Sequence, residues 1–172
     1  MSVKQYHIAR ICYSAAAIFN LAKVMPHHYT IRRANIPDLD QVVSLDARVT
    51  GTPKPEYWRQ RFESSRQPGS QQYFLVAEQD GRLLGFTLGE IRAWEFGSQP
   101  CGWIFAIGVD PEARLERVGS DLFDAMCRCF RETGVTKIRT MIARDAQLVM
   151  SFFRSQGLMA GPFVQLEMDL ES

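Results

Sequence analysis

The sequence lacks the hallmarks of several protein classes. Its 172 residues include four cysteines and three histidines, and neither residue type recurs at the spacing of a zinc site. Neither sign of charge is in excess, because the chain has 20 Lys and Arg and 19 Asp and Glu, for a formal net charge of +1. No apolar run is long enough to span a bilayer. These absences argue against a disulfide scaffold, a metal site, a nucleic-acid partner and a membrane span.

The composition is that of an ordinary globular protein. Apolar residues make up 46% of the chain and charged residues 23%, which excludes disordered and collagen-like proteins. A length of 172 residues suits one domain with a substantial core. The sparse cysteines predict reduced thiols, and with them a cytoplasmic protein.

The first 28 residues differ from the rest in charge. No acidic residue precedes Asp38, whereas Lys4, Arg10 and Lys23 interrupt an apolar stretch. Apolar residues recur there at intervals of three and four, which predicts an amphipathic helical extension over residues 1–28. Such a helix would pack on its own domain or on a second copy of the chain. A basic, alanine-rich start is also typical of a targeting peptide, and this second interpretation stays open.

The remainder of the chain, residues 29–172, alternates strand and helix patterns. Two β-like runs flank Asp80-Gly81 and predict a tight hairpin. The nearly all-apolar run Trp103–Val109 predicts a central strand buried on both faces, and Phe163–Leu170 predicts a last alternating strand. The predicted order is β α α β β β α β α β. It indicates an α/β (α+β) fold with a mixed, mostly antiparallel central sheet flanked by helices.

Two segments resemble a known family. GVDPEARLERVGSDLF, residues 108–123, lies between a predicted strand and a predicted helix, and SFFRSQGL, residues 151–158, joins an aromatic helix to a glycine and an apolar residue. With the element order, they are similar to the GNAT superfamily of N-acetyltransferases over about residues 29–171. The first segment looks like the acyl-CoA pyrophosphate loop, in which a helix N-terminus presents backbone amides to a diphosphate.

The resemblance implies acetyl-CoA as co-substrate, no metal, and a set of residues that would hold the cofactor. Backbone groups near Ile107 and Val109 would bind the pantetheine arm, and Gly119 and Ser120 would lie at the diphosphate. In many members a tyrosine in the late helix protonates the leaving thiolate, and Phe153 stands at that position here. The implied cofactor-binding residues are Ile107, Gly108, Val109, Arg114, Leu115, Glu116, Arg117, Val118, Gly119, Ser120 and Phe153.

The loop is degenerate, since it departs from the family pattern at two positions. Arg114 and Gly119 match, but Arg117 stands where a glycine belongs and Leu115 replaces another glycine. A side chain is unfavourable where backbone must approach phosphate closely or adopt a positive φ. The Arg117 guanidinium would either obstruct the cofactor or bind a phosphate and compensate. An ordinary strand-to-helix connection that binds nothing is the competing interpretation.

A general base is harder to assign. Acetyl transfer requires a neutral amine, so a base or a desolvated pocket is expected. Many members of the family carry a carboxylate on the central strand, but Trp103–Ile107 contains none. The nearest acidic residues are Glu95, Glu90 and Asp145. Glu95 is the first choice because its loop would border the acceptor side, and a solvated loop carboxylate is the alternative.

Two functions follow from the resemblance. The first is an N-acetyltransferase that moves an acetyl group directly from acetyl-CoA to an amine of a small molecule or a protein. The second is an inactive GNAT-like domain that senses acyl-CoA or mediates protein interactions.

Two further features concern the acceptor and the assembly. An exposed strand edge, together with the N-terminal helix, favours a homodimer. An aromatic helix would line the acceptor pocket or belong to the core. The residues of that aromatic helix are Tyr57, Trp58, Arg61 and Phe62.

Overall fold

The strands and helices follow the expected order as far as the last helix. The computed structural model describes residues 28–94 and 97–170, without the side chains of residues 114 and 115. The helix predicted over residues 1–28 therefore lies outside the described residues, apart from residue 28. The strands are β1 (Thr30–Arg33), β2 (Gln72–Gln79), β3 (Arg82–Arg92), β4 (Cys101–Val109) and β5 (Ile138–Thr140). The α-helices are α1 (Leu39–Thr50), α2 (Pro55–Arg66), α3 (Val118–Glu132) and α4 (Gln147–Ser155), and short 3-10 helices span Ile36–Asp38 and Pro111–Glu116.

The five strands form one sheet in the order β1-β2-β3-β4-β5. Neighbouring strands are antiparallel except for β4 and β5, which are parallel. The predicted hairpin is confirmed: Asp80 and Gly81 have φ angles of 50° and 80°, as in a two-residue turn that matches the strand twist. A mixed, mostly antiparallel sheet flanked by helices confirms the predicted fold class. Within the described ranges, no helix has the length and apolar character needed to cross a bilayer.

Helices cover both faces of the sheet. Helices α1 and α2 pack on one face through a core that includes Trp58, Phe62 and Phe86. Helix α3 packs on the other face, with Leu122 and Phe130 among its fully buried residues. Two aromatic residues of α2, Trp58 and Phe62, thus belong to this core.

Glycines let α3 approach the sheet closely. A Cβ on Gly102 would lie 2.3 Å from the ring of Phe130, and a Cβ on Gly89 would lie 2.9 Å from it. Neither distance is compatible with a side chain, so β3 and β4 need glycine where the helix crosses them. The close contact fixes α3 against these strands and places its first residue, Val118, near the end of β4.

Two expectations about strands are wrong. Strand β4 is not buried on both faces, because β5 pairs with it only as far as Ile104, and Phe105 is 43% exposed. Residues Phe163–Leu170 keep their alternating pattern but form no strand in the described part of the chain. Alternation makes a segment suitable for a sheet, but a strand forms only when its backbone pairs with another strand, and this segment pairs with none of the described strands.

Candidate active site

The sheet opens between β4 and β5. Strand β5 pairs with β4 only over residues 102–104, whereas β4 continues to Val109 with β3 on its other side. Along the second half of β4, no described strand lies on the β5 side. Peptide groups there are open to a ligand that lies along the strand. Ile107, Gly108 and Val109, which were expected to hold the pantetheine arm, belong to this open half.

A helix N-terminus lies just beyond the open half of β4. Among the described residues, no side chain caps the first turn of α3. The amides of Val118, Gly119 and Ser120 are therefore available at the positive end of the helix dipole. A Cβ on Gly119 would lie 3.3 Å from the ring of Phe152 and 3.4 Å from Val109, so the turn packs tightly against β4 and α4. Such a turn is suited to bind a phosphate group.

Arg117 has the backbone conformation of a glycine. Its φ of 63° and ψ of 8° lie in the left-handed region, where it joins the 3-10 helix Pro111–Glu116 to α3. A left-handed residue with a side chain costs about 1 kcal/mol. Glycine belongs at this position in the family pattern, so the turn keeps its shape although the residue differs. The side chain of Arg117 is exposed and begins one residue before the first amide of α3.

The buried carboxylate of Asp110 holds this turn against the domain. It is 2% exposed and accepts hydrogen bonds from the Glu112 amide at 3.1 Å, from Arg82 at 3.0 Å and from Arg48 at 3.3 Å. Burial by itself would raise the pKa of Asp110, but these hydrogen bonds outweigh it, so the pKa lies below its ordinary value. Because Arg48 is on α1 and Arg82 is on β3, the carboxylate ties the start of the loop to two other elements.

Asp110→Asn is expected to lower the free energy of unfolding by about 1–3 kcal/mol, because two guanidinium groups lose their carboxylate. Since the pKa of Asp110 is lower in the folded chain, this stabilisation is complete at neutral pH. It is lost as the pH falls below the ordinary value of 3.8. Urea titrations of both proteins at neutral pH and at a series of acidic pH values measure the difference. A difference that stays constant down to strongly acidic pH would contradict a role based on charge.

Tyr29 ties the first strand region to the same turn from the other side. Its hydroxyl donates to Asp121 Oδ2 at 2.6 Å and lies 3.1 Å from the carbonyl oxygen of Glu116. Burial, and then the hydrogen bond to the Asp121 carboxylate, raises the pKa of Tyr29 well above its usual value. No local pattern points to Tyr29, because it is 87 residues from Glu116 and only the fold brings them together.

A carboxylate lies on the α2 face of the sheet, close to the opening. Glu90 is paired in register with Gln72 on β2 and with Trp103 on β4, so the three side chains share one face. Gln72 Nε2 donates to Glu90 Oε2 at 2.6 Å, and Arg92 Nε lies 2.9 Å from the other carboxylate oxygen. Gln72, Glu90 and Arg92 line part of a cavity of about 510 Å³ that extends to the C-terminal end of α2. Trp103 directly precedes Ile104, the last residue of β4 that pairs with β5.

Two aromatic rings stack beside Glu90. Trp103 and Phe105 have ring centroids 6.3 Å apart and planes 13° apart. The guanidinium of Arg92 lies 5.9 Å from the first ring and 5.2 Å from the second. A register shift skips Phe105, since the pairing of β3 passes from Ala106 to Ile104, and this bulge explains the exposure of its ring. An exposed aromatic surface and a carboxylate thus border the opening together.

The other predicted site residues have different surroundings. Asp145 is exposed in the turn before α4. Phe153 is 3% exposed and packs in the core against Phe123, whereas its neighbour Phe152 lies beside Gly119. Glu95 lies outside the described residues. In the described part of the chain, no group of three or more His, Cys, Asp or Glu side chains is arranged to hold a metal ion.

Curated relatives with similar sequences include mycothiol acetyltransferases. The enzyme of Sanguibacter keddieii is 34% identical over 85 residues, which are 49% of this chain and 27% of the relative. The enzyme of Propionibacterium freudenreichii subsp. shermanii is 29% identical over 126 residues, which are 70% of this chain and 39% of the relative. The matched segments therefore cover less than half the length of each of these relatives.

Solved acetyltransferases share the fold. The aminoglycoside N-acetyltransferase AAC(6')-Iy in complex with CoA superimposes with a TM-score of 0.73 at 19% identity, over 83% of this chain and 95% of that chain. Glucosamine-6-phosphate N-acetyltransferase from Arabidopsis thaliana gives a TM-score of 0.65 at 19% identity, over 83% of this chain and 99% of that chain. At such identities the likeness establishes the fold and nothing further.

The family assignment rests on a sequence match. A model of the acetyltransferase (GNAT) family matches residues 39–158. The matched range extends from the start of α1 to just beyond α4, and it contains the opening beside β4, the turn into α3 and Glu90. The chain therefore belongs to the acetyltransferase (GNAT) family.

Proposed function

We propose that this protein is an N-acetyltransferase that moves an acetyl group from acetyl-CoA directly to an amine of a small molecule. The observation that carries the proposal is the combination of an open strand edge on β4 with an uncapped helix N-terminus at its end. Acetyl-CoA carries both matching groups: its thioester arm fits the open strand edge, and its diphosphate fits the helix N-terminus. The acetyl donor supplies the thioester carbonyl, and the residues of the chain bind and orient it.

The turn into α3 forms the binding site for the diphosphate. The amides of Val118, Gly119 and Ser120 donate to phosphate oxygens, and the left-handed backbone at Arg117 directs them outward. The exposed Arg117 guanidinium adds a charged donor next to these amides. Ile107 and Val109 offer peptide groups of β4 to the pantetheine arm. Leu115 and Glu116 are at the end of the 3-10 helix, and Arg114 is the basic residue that matches the family pattern.

Glu90 is the proposed general base. A lysine-like amine has a pKa of about 10.4 and is almost entirely protonated at neutral pH. Glu90 takes this proton, directly or through one water molecule, while Gln72 and Arg92 hold the carboxylate in place. The neutral amine then attacks the thioester carbonyl, the carbon–sulfur bond breaks, and the thiolate takes a proton from solvent. Asp145 and Glu95 are the other candidates for this role, and Glu90 is preferred because it adjoins the opening.

The acceptor binds on the face that carries Glu90. The half-buried ring of Trp103 and the exposed ring of Phe105 offer an apolar surface next to the carboxylate. The matched relatives are mycothiol acetyltransferases, and two solved neighbours are an aminoglycoside and a glucosamine-6-phosphate acetyltransferase. These names support a small molecule with an amino group as the acceptor, in preference to a protein amine.

An acyl-CoA sensor without transferase activity is the second candidate function. Phe153 favours it, because a phenylalanine at the implied tyrosine position has no hydroxyl to protonate the thiolate. The ring of Phe153 is also buried against Phe123, away from solvent. A sensor would use the same anion turn and the same open half of β4.

Acetyl-CoA at a hundredfold excess over its dissociation constant is expected to stabilise the folded chain by about 2.7 kcal/mol. For a chain of this size that corresponds to a rise in Tm of about 5–10 °C. Thermal melting with increasing acetyl-CoA measures the shift, and S-acetylpantetheine, which has the thioester arm but no diphosphate, serves as the control. Thiol release from acetyl-CoA is then followed with a panel of amino sugars and other small amines. No shift at millimolar acetyl-CoA would overturn both functions, and a shift without thiol release for any amine would favour the sensor.

A further inference from the structure

Two threonine hydroxyls bind carbonyl oxygens of β4 at the point where the sheet opens. The half-buried Thr140, on β5, donates from Oγ1 to the Ile104 oxygen at 2.9 Å. The fully buried Thr87, on β3, donates from Oγ1 to the Ala106 oxygen at 3.0 Å. These two carbonyls lie on either side of Phe105, the residue that the register shift skips. Side-chain hydroxyls compete with the backbone for such hydrogen bonds, so both threonines influence how β4 pairs with its neighbours.

The Thr140 hydroxyl takes the place of a backbone donor at the end of β5. The Gly102 amide donates to the Lys137 oxygen at 2.9 Å, and in a parallel pair every second residue of a strand bonds to the same neighbour. By this pattern, the Ile104 oxygen is the acceptor for the amide of Met141, the residue after Thr140. Among the described residues no such backbone bond is formed, and Thr140 is the last residue of β5. The hydroxyl therefore ends the pairing of β4 with β5.

The pairing of β4 with β3 determines which amide faces the opening. The Asp110 amide donates to the Leu84 oxygen at 2.8 Å, and alternate residues of an antiparallel strand bond to the same neighbour, so the Ile107 amide points away from β3. The bond from Thr87 to Ala106 has the same consequence. Because a trans peptide group is planar, an Ala106 carbonyl held toward β3 directs the next amide, that of Ile107, to the opposite side. No described strand lies there, so this amide faces the opening.

We propose that Thr140 and Thr87 are positioning residues for the acetyl donor, which act through β4 without contacting the ligand. Thr140 stops β5 before it reaches the Ile107 amide, and Thr87 holds that amide in the direction of the opening. The amide then donates a hydrogen bond to the pantetheine arm. This inference rests on the proposed function, because it takes acetyl-CoA as the ligand of this edge. The end of the pairing between β4 and β5 is a property of the chain alone and can be tested without ligand.

Thr140→Val removes the hydroxyl and keeps the size and the strand preference of the side chain. The Ile104 oxygen then loses its donor, and by the ladder pattern the Met141 amide is the backbone group that replaces it. We expect the extended pairing to narrow the opening and to weaken acetyl-CoA binding by about tenfold, the equivalent of about one lost hydrogen bond. Thr140→Ser keeps the hydroxyl, so its dissociation constant should stay within about threefold of that of the unmodified chain.

Thr87→Val and Thr87→Ser test the second hydroxyl in the same way. Valine fills the same buried space but removes the bond that holds the Ala106 carbonyl, so acetyl-CoA binding is expected to weaken by about threefold to tenfold, and serine should restore it. KM for the amine should not change in any of these variants, because neither threonine lines the cavity beside Glu90. Thr133→Val is the matched control, since the Thr133 hydroxyl donates to the Phe130 oxygen at 2.7 Å at the C-terminal end of α3.

Isothermal titration of the full chain with acetyl-CoA measures these affinities, and thermal melting verifies that each variant is folded. Hydrogen exchange followed by NMR, without ligand, measures the protection of the Met141 amide. Slower exchange of this amide in Thr140→Val than in Thr140→Ser or the unmodified chain is the expected result. Equal acetyl-CoA affinity of the valine and serine variants, or an unchanged Met141 exchange rate in Thr140→Val, would overturn the inference. Absence of acetyl-CoA binding to the unmodified chain would instead overturn the proposed function, and Met141 exchange would still decide whether Thr140 ends the pairing.

Discussion

Ser120→Asp is expected to weaken acetyl-CoA binding by about a hundredfold. Ser120 is the third residue of α3, and its hydroxyl accepts a hydrogen bond from Gln156 Nε2 at 3.2 Å. A carboxylate can accept the same hydrogen bond, and an acidic residue in the first turn stabilises a helix. The same carboxylate would lie within a few ångströms of a bound diphosphate. At an effective dielectric constant between those of protein and water, repulsion at this distance is about 3 kcal/mol.

Ser120→Asn provides the matched control, because it has the size of Asp without the charge. We expect Ser120→Asn to change the dissociation constant by less than about fivefold. Isothermal titration with acetyl-CoA measures both variants, and thermal melting in the absence of ligand verifies that both are folded. If Asp and Asn weakened binding equally, size rather than charge would be responsible. If neither substitution weakened binding, the turn into α3 would not be the diphosphate-binding site.

Glu90→Gln is expected to lower kcat/KM for the amine by about a hundredfold to ten-thousandfold, which is the usual contribution of a positioned base. A glutamine at this position has nearly the same shape and can still accept the hydrogen bond from Gln72, so the cavity should keep its form. The variant loses the group that takes the proton from the amine. Acetyl-CoA binding should be unchanged, because Glu90 lies on the acceptor face of the sheet.

Asp145→Asn is the control for Glu90→Gln, since Asp145 is an exposed carboxylate outside the cavity. Initial rates of thiol release at several amine concentrations separate kcat from KM for both variants. A Glu90→Gln protein with full activity would exclude Glu90 as the base. A large loss of activity in Asp145→Asn instead would move the role to the turn before α4.

Several features of the site could be predicted from the sequence because they depend on short-range backbone geometry. The Val-Asp-Pro exit from a strand, followed by a helix near Gly119, predicted the turn into α3. A glycine requirement at position 117 was inferred from the family pattern, and the structure has a left-handed backbone there. In the same way, Asp80-Gly81 predicted a hairpin whose two residues both have positive φ. Such conformations are determined by two or three neighbouring residues.

Other features depended on contacts between distant segments. The surroundings of Glu90 come from Gln72 on one strand and Trp103 on another, and local sequence placed Glu95 ahead of it. The exposure of Phe105 results from a bulge and from the shortness of β5, so an apolar run alone suggested complete burial. The apolar alternation of Phe163–Leu170 predicted a strand, and this prediction was wrong, because the segment pairs with no strand in the described structure.

By itself, the sequence determined the order of the elements as far as α4, the hairpin, the turn into α3 and the α/β fold class, because each depends on periodicity or on the conformational limits of a few adjacent residues. Only the tertiary structure decided that Asp110 bonds to α1 and β3, that Tyr29 bonds to the start of α3, and that Glu90 lies beside the opening between β4 and β5. These placements join residues far apart in the chain. They depend on strand register and helix packing, which many segments determine together.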